Sequence, residues 1–157
     1  MPASPEAQLA ADNLTLKGYA LLEAKHPKDA LPYFDQAIEK DSKHIRAYQG
    51  KGIALNTMGK NTEAESAYQS ALSIDKDNIG VINNLGLSHI FRGDYDGAIA
   101  LLEPHSHTEP VHAKLIENLA LAYCLKGDEE KARKLYKTRI PAAKINDNLQ
   151  FCKQFKK

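Results

Sequence analysis

A chain of 157 residues, 43% hydrophobic and 26% charged, has the balance of one folded domain or a short repeat array rather than of a disordered polypeptide. Its 21 basic and 20 acidic residues are interleaved and leave a net charge of +1, which gives no argument for a nucleic-acid partner. The one basic cluster, Lys153, Lys156 and Lys157, suits a solvated helix end. No run approaches the ~18 apolar residues of a membrane span.

The opening residues, MPASPEAQ, have neither the basic n-region nor the apolar h-region of a signal peptide. Residues 1–8 are expected to form a flexible tether, with 5–16 running into a first helix through Leu9, Leu14 and Leu16. Both a cytoplasmic start and a mature portion freed of a targeting segment agree with this opening.

From here the chain repeats. Ala30, Ala64, Ala98 and Ala132 recur every 34 residues, as do Gly18, Gly52, Gly86 and Ala120. Gly59, Gly93 and Gly127 punctuate three units at the place where the first has Lys25. Four copies of one period predict a repeat architecture.

Each unit reads as two helices. Ala47, Tyr48, Lys51, Gly52 and Leu55 follow the i, i+3, i+4 spacing of an amphipathic helix. Gly59 suits a left-handed helix end, and Ala64, Ala67, Tyr68, Ala71 and Leu72 form a second apolar face. The small residues at the eighth and twentieth places let two backbones approach. Phe34, Tyr68, Leu102 or Tyr136, four residues after each alanine, fills the remaining space.

The spacing resembles the tetratricopeptide repeat (TPR) over about residues 11–140, most fully in the second unit. That resemblance implies an all-α, right-handed solenoid of four helix hairpins with a C-terminal capping helix. The expectation is a single domain over 1–157, with repeats at about 11–44, 45–78, 79–112 and 113–140 and a cap at about 141–155. Ile145, Leu149, Cys152 and Phe155 would lie on the buried face of that cap. Only Pro110 ends a unit as the family pattern expects, Ser42 and Lys76 standing in the first two. Pro104 should cut the second helix of the third unit short. Pro32 is tolerable in its helix only if that helix begins late.

No constellation for catalysis emerges. GLSHI at 86–90 lacks the second glycine of a serine-hydrolase elbow and falls in a helix. GKNTEA at 59–64 lacks the ending of a phosphate loop. His105, His107 and His112 near Glu103 and Glu109 match no metal-ligand spacing and read as exposed loop side chains. Glu129 and Glu130 suit a helix start. Cys124 and Cys152 are too few for a disulfide framework; two half-buried free thiols are expected, with pairing in an oxidising compartment as the alternative. The expectation is a non-enzyme without cofactor or metal.

In a TPR array the first helices of successive hairpins line a concave face. Positions 2, 5, 9, 12 and 13 of each unit share one side of the helix. They are Asp12, Thr15, Tyr19, Leu22 and Glu23; Arg46, Gln49, Ile53, Asn56 and Thr57; Gly80, Asn83, Leu87, Ile90 and Phe91; and Lys114, Glu117, Leu121, Cys124 and Leu125. Position 9 is apolar or aromatic each time: Tyr19, Ile53, Leu87, Leu121. The candidate partner-binding groove comprises Tyr19, Leu22, Arg46, Gln49, Ile53, Asn56, Asn83, Leu87, Ile90, Phe91, Lys114, Leu121 and Leu125. The competing expectation is that curvature or the N-terminal segment covers the strip. TPR domains that clamp the terminal carboxylate of heat-shock chaperones use Lys and Asn where this chain has Thr15 and Tyr19, which disfavours that role.

The run GDYDGAIALLEPHSHTEPVHAKLIENLALAYCLKGDEEKARKLY, the close of the third unit at Leu102-Glu103-Pro104, the stretch 118–123 (NLALAY) and Asn148-Leu149 carry a finer resemblance. Over residues 84–155 the chain is similar to the TPR protein of the tight-adherence (Tad, Flp-type) pilus assembly system. The resemblance implies a pilotin-like lipoprotein that helps a secretin assemble, periplasmic and associated with the outer membrane. Its partner would be a secretin or another pilus or secretion component, and the membrane would be reached only through a lipid anchor absent from this sequence. Cys124 departs from the family, where a small residue is usual. Alternatives are a TPR pilotin of a type IV pilus and a cytosolic TPR chaperone or adaptor for a secreted substrate.

Overall fold

The computed structural model describes residues 1–108 and 112–155. Among these are nine α-helices and no strand: α1 Pro5–Glu23, α2 Pro27–Lys40, α3 Ile45–Thr57, α4 Asn61–Ile74, α5 Ile79–Phe91, α6 Tyr95–Leu102, α7 Ala113–Lys126, α8 Glu129–Lys137 and α9 Ala142–Gln154. The fold class is all-α, built of helix hairpins.

Every hairpin turns through the same hydrogen bond. The amides of His26, Lys60, Asp94 and Asp128, one every 34 residues, donate to the carbonyls of Leu21, Leu55, His89 and Tyr123 at 2.8–2.9 Å. This six-residue closure of a helix end requires a left-handed residue just before the donor. Gly59, Gly93 and Gly127 supply it, with φ of 76°, 80° and 103°. In the first hairpin Lys25 takes that conformation at φ 66° without being glycine. The geometry belongs to the turn, and the residue has to comply.

The expected tether is shorter than 1–8. Ser4 accepts a hydrogen bond from the Ala7 amide at 3.2 Å, and Pro5 occupies the first helical position, so the helix begins at once. Pro32 also departs from expectation, because α2 begins at Pro27 and Pro32 lies inside it. It is exposed, and having no N–H it cannot donate to the carbonyl one turn back. Pro104 does end its helix: α6 has 8 residues where α2 and α4 have 14, and a 3-10 turn over Glu103–His105 follows. Pro110, Glu109, Lys156 and Lys157 lie outside the described residues.

The expected single domain divides into two compact units, 1–84 and 85–157, with the boundary inside α5. A repeat array is held together by neighbouring hairpins alone. In the first unit α1 packs on α2 and α3, α2 on α3, and α3 on α4. Its core includes the clusters Ala11–Ala37–Ala47 and Ala30–Phe34–Ala54. The eighth-place glycines do the steric work read from the sequence: a β-carbon on Gly18 would stand 2.6 Å from the Phe34 ring, and one on Gly52 would collide with the Tyr68 ring.

In the second unit α6 packs on α7, α7 on α8, and α9 on both α7 and α8. Here Leu102 fills the place over Gly86, where a β-carbon would come within 2.6 Å. Ile145, Leu149 and Cys152 bury the inner stripe of α9, but Phe155 is 55% exposed and not part of it. The helix ends at Gln154, so Phe155 no longer follows the stripe. Among the described residues no helix is long and apolar enough to cross a membrane.

Candidate functional site

In the first unit the candidate groove residues stand on α1, α3 and α5. Tyr19 is half-buried. Its ring meets Phe34 edge-on with centroids 5.4 Å apart, and the Arg46 guanidinium lies 5.6 Å from its centroid. The Tyr19 hydroxyl donates to the Arg46 carbonyl at 3.2 Å, tying α1 to α3. Burial holds this phenol above its usual range, with the Arg46 charge pulling the other way. Ile53, Gln49 and Asn83 are half-buried, and Arg46 is exposed.

Thr15, placed on the concave face by spacing alone, is 1% exposed, and its hydroxyl has no hydrogen-bond partner among the described residues. The reason is that α1 packs on both α2 and α3, so more than one stripe of it is buried.

Position 12 needs a wider correction. Leu22 packs on the Ala30–Phe34–Ala54 cluster. Asn56 donates to the Tyr68 hydroxyl at 3.3 Å, and burial raises that phenol strongly. Ile90 is only 6% exposed, and Cys124 is buried in a disulfide. Position 12 lies one turn after the small residue at position 8, so it shares the stripe that meets the second helix. Ile90 and Cys124 are therefore interior, whereas Leu22 and Asn56 are half-buried, as is Tyr19, which packs on the same cluster as Leu22.

In the second unit Leu87, Leu121 and Leu125 are half-buried, Lys114 is exposed, and Phe91 is 59% exposed. Sequence reasoning missed the site this unit builds around Leu121. Glu117, Asn118 and Leu121 of α7, Tyr136 of α8, Ile140, and Lys144, Asn148 and Phe151 of α9 line an open pocket of about 350 Å³. A signal was present: Lys144, Asn148 and Phe151 form a second stripe at helical spacing beside the buried one. Phe151 and Phe155 pack with ring centroids 4.7 Å apart, and both are more than half exposed. Burial, followed by the charge of Glu117, pushes the Tyr136 phenol up to about 12, so it stays neutral at physiological pH. The walls bring one acid, one base, two carboxamides and four apolar or aromatic side chains together. That mixture suits a polypeptide segment, and the volume is at the small end of ligand clefts, about 300–1,000 Å³.

A disulfide stands behind this pocket. Cys124 of α7 and Cys152 of α9 are bonded, with Cα atoms 5.8 Å apart. The expectation of two free thiols is thus corrected: packing of the cap on α7 brings together residues 28 apart in sequence. Glu103 accepts a short hydrogen bond from the Tyr123 hydroxyl. Among the described residues no group of three or more His, Cys, Asp or Glu could hold a metal.

These hairpins define a class: a helical repeat protein with an apolar or aromatic residue at each ninth position. Two models of the tetratricopeptide repeat match residues 21–85 and 83–144, and the chain is a tetratricopeptide-repeat protein. It is 33% identical over 87 residues to the probable UDP-N-acetylglucosamine–peptide N-acetylglucosaminyltransferase SPINDLY of Arabidopsis thaliana, a match over 55% of this chain and 10% of that protein. The solved structure of Pseudomonas aeruginosa pilF superposes with a TM-score of 0.79 at 22% identity, over 85% of this chain and 61% of that one. YrrB, solved as a TPR protein with an unusual peptide-binding site, gives 0.69 at 18% identity, over 90% and 75%. The chain thus spans a tenth of the length of its plant relative, and the likeness to the two solved structures is one of fold.

Proposed function

We propose that this protein is a non-enzymatic interaction scaffold, a pilotin-like accessory factor of Tad/Flp pilus biogenesis that docks a segment of a secretin or another secretion component. The observation that carries the docking role is the ninth position of each hairpin. Tyr19, Ile53, Leu87 and Leu121 are all half-buried, so each keeps part of a large apolar surface in reach of a partner. Arg46, Gln49, Asn83, Phe91, Lys114 and Leu125 complete the proposed contacts.

The pilus assignment rests on the resemblance of residues 84–155. The likeness to pilF is one of fold and does not choose between a Tad and a type IV system. The disulfide supports a periplasmic location over a cytosolic adaptor, because mesophilic cytosol keeps such thiols reduced. Association with the outer membrane is part of the same proposal and would need a lipid anchor.

Deleting the gene in its host tests the role: secretin multimers of the Tad system should vanish while those of any type IV system persist. Leu87→Asp should abolish capture of the purified secretin with the helical circular dichroism unchanged. Undiminished capture by that variant would remove the docking surface, and loss of type IV multimers alone would move the protein to the other system.

A further inference from the structure

The disulfide does more than report a compartment. Leu121 lies one turn before Cys124 on α7, Asn148 one turn before Cys152 on α9, and Phe151 is next to Cys152. All three line the 350 Å³ pocket. The Cys124 sulfur lies 3.9 Å from the Asn148 carbonyl oxygen, a packing contact, since a disulfide sulfur carries no proton to donate. The covalent tie therefore joins the two walls at the level of the pocket.

Beside the disulfide, α9 is held by its packing on α7 and α8. Its buried side chains are Ile145, Leu149 and Cys152, and the third of these is the disulfide itself. Its polar ties to α8, Arg133 to Asn146 at 3.2 Å and Lys153 to Glu129 at 3.3 Å, lie at the surface, where such pairs contribute little. With 13 residues α9 is at the length below which an isolated helix is marginal in water, about 12–15 residues. Released from α7, it would lose both its place and much of its helix.

We propose that formation of the Cys124–Cys152 bond is the step that assembles the docking pocket of the second unit, so that the reduced chain lacks this part of the partner surface. The inference rests on the reading of that unit as a docking surface and adds its regulation. In the forward step one cysteine thiolate attacks a disulfide-bearing oxidant, forming a mixed disulfide and expelling one oxidant sulfur. The second cysteine thiolate then displaces the other oxidant sulfur and closes the protein disulfide. Two protons and two electrons leave the protein, and the oxidant departs as a dithiol. Reduction by a dithiol runs the same exchange backwards. Both sulfurs are buried, so reduction waits on an opening of α9. A chain synthesised in a reducing compartment would thus stay unable to dock until it reached an oxidising one.

The test is hydrogen exchange by mass spectrometry on the full chain, oxidised, reduced with dithiothreitol, and reoxidised. Amides of 142–154 should exchange at least tenfold faster in the reduced chain and recover on reoxidation, while α1 to α4 keep their rates. The Cys124→Ser/Cys152→Ser variant should match the reduced wild type in any buffer. Equal protection of α9 in both redox states overturns the proposal. The readout involves no partner, so it separates the two ideas: failure of Leu121→Asp to reduce secretin capture would sink docking at this pocket, whatever α9 does. If an α9 freed on reduction leaves capture of the secretin undiminished, the regulatory role is overturned.

Discussion

The Phe34 ring stands where a β-carbon of Gly50 would have to be, and it also covers Gly18 on its other neighbour helix. One fully buried side chain of α2 is thereby wedged between α1 and α3. Gly50→Ala sets two effects against each other. Alanine is the better helix former by about 1 kcal/mol, but overpacking a filled core costs about 1–3 kcal/mol. The ring has no free side to yield toward, so the variant should be less stable by about 1–2 kcal/mol in urea denaturation. A stabilised variant would show that the ring moves freely.

Lys25 offers the opposite experiment. It is exposed and holds the left-handed turn conformation that glycine fills in the other three hairpins. That conformation costs an L-residue about 1–2 kcal/mol, partly offset by the greater chain entropy glycine brings to the unfolded state. Lys25→Gly should raise stability by about 0.5–1 kcal/mol, read as a higher urea midpoint with an unchanged slope.

Asp94 caps α6 and anchors the third turn. Its carboxylate accepts from the Gly97 amide at 3.0 Å and lies 2.7 Å from His89 Nδ1. The Gly97 amide first, and His89 second, hold its pKa below the ordinary 3.8. A depressed carboxylate contributes stability above its unfolded value, and that contribution is lost as pH falls through the folded value. At 41% side-chain exposure the charge share is screened, leaving the cap as the main term, about 1 kcal/mol. Asp94→Ala should cost that much at pH 7, and the gap to wild type should narrow below pH ~4 in acid-dependent unfolding.

Tyr123 should show its environment at the alkaline end. Burial first, then the hydrogen bond to Glu103, push its phenol from 10.0 to about 12. A raised acid contributes stability that is complete below pH 10 and lost as pH climbs toward 12. Tyr123→Phe strands the Glu103 acceptor and should cost about 1 kcal/mol at neutral pH. The variant should also lose less stability than wild type between pH 10 and 11.5, measured by urea titration at fixed pH. Parallel losses would show that Tyr123 does not carry the alkaline transition.

The hairpins could be read from the amino acids because their information is local and repeated. The 34-residue recurrence of alanine and glycine, and the large residue four places after each alanine, follow from helix periodicity and van der Waals volume within one hairpin. Gly18 against Phe34 and Gly86 against Leu102 are direct consequences. Pairings across helices are a different kind of information. Spacing puts position 12 on the same side as position 9, yet the crossing of two helices buries Ile90 and leaves Leu87 half-exposed. Likewise, 28 residues separate Cys124 from Cys152, and only the docking of α9 on α7 and α8 brings their Cα atoms to 5.8 Å and encloses the pocket beside them. A pattern along the chain specifies which face of each helix is apolar; which residues on that face meet depends on interhelical angle and distance, and those emerge only when all the side chains are packed together.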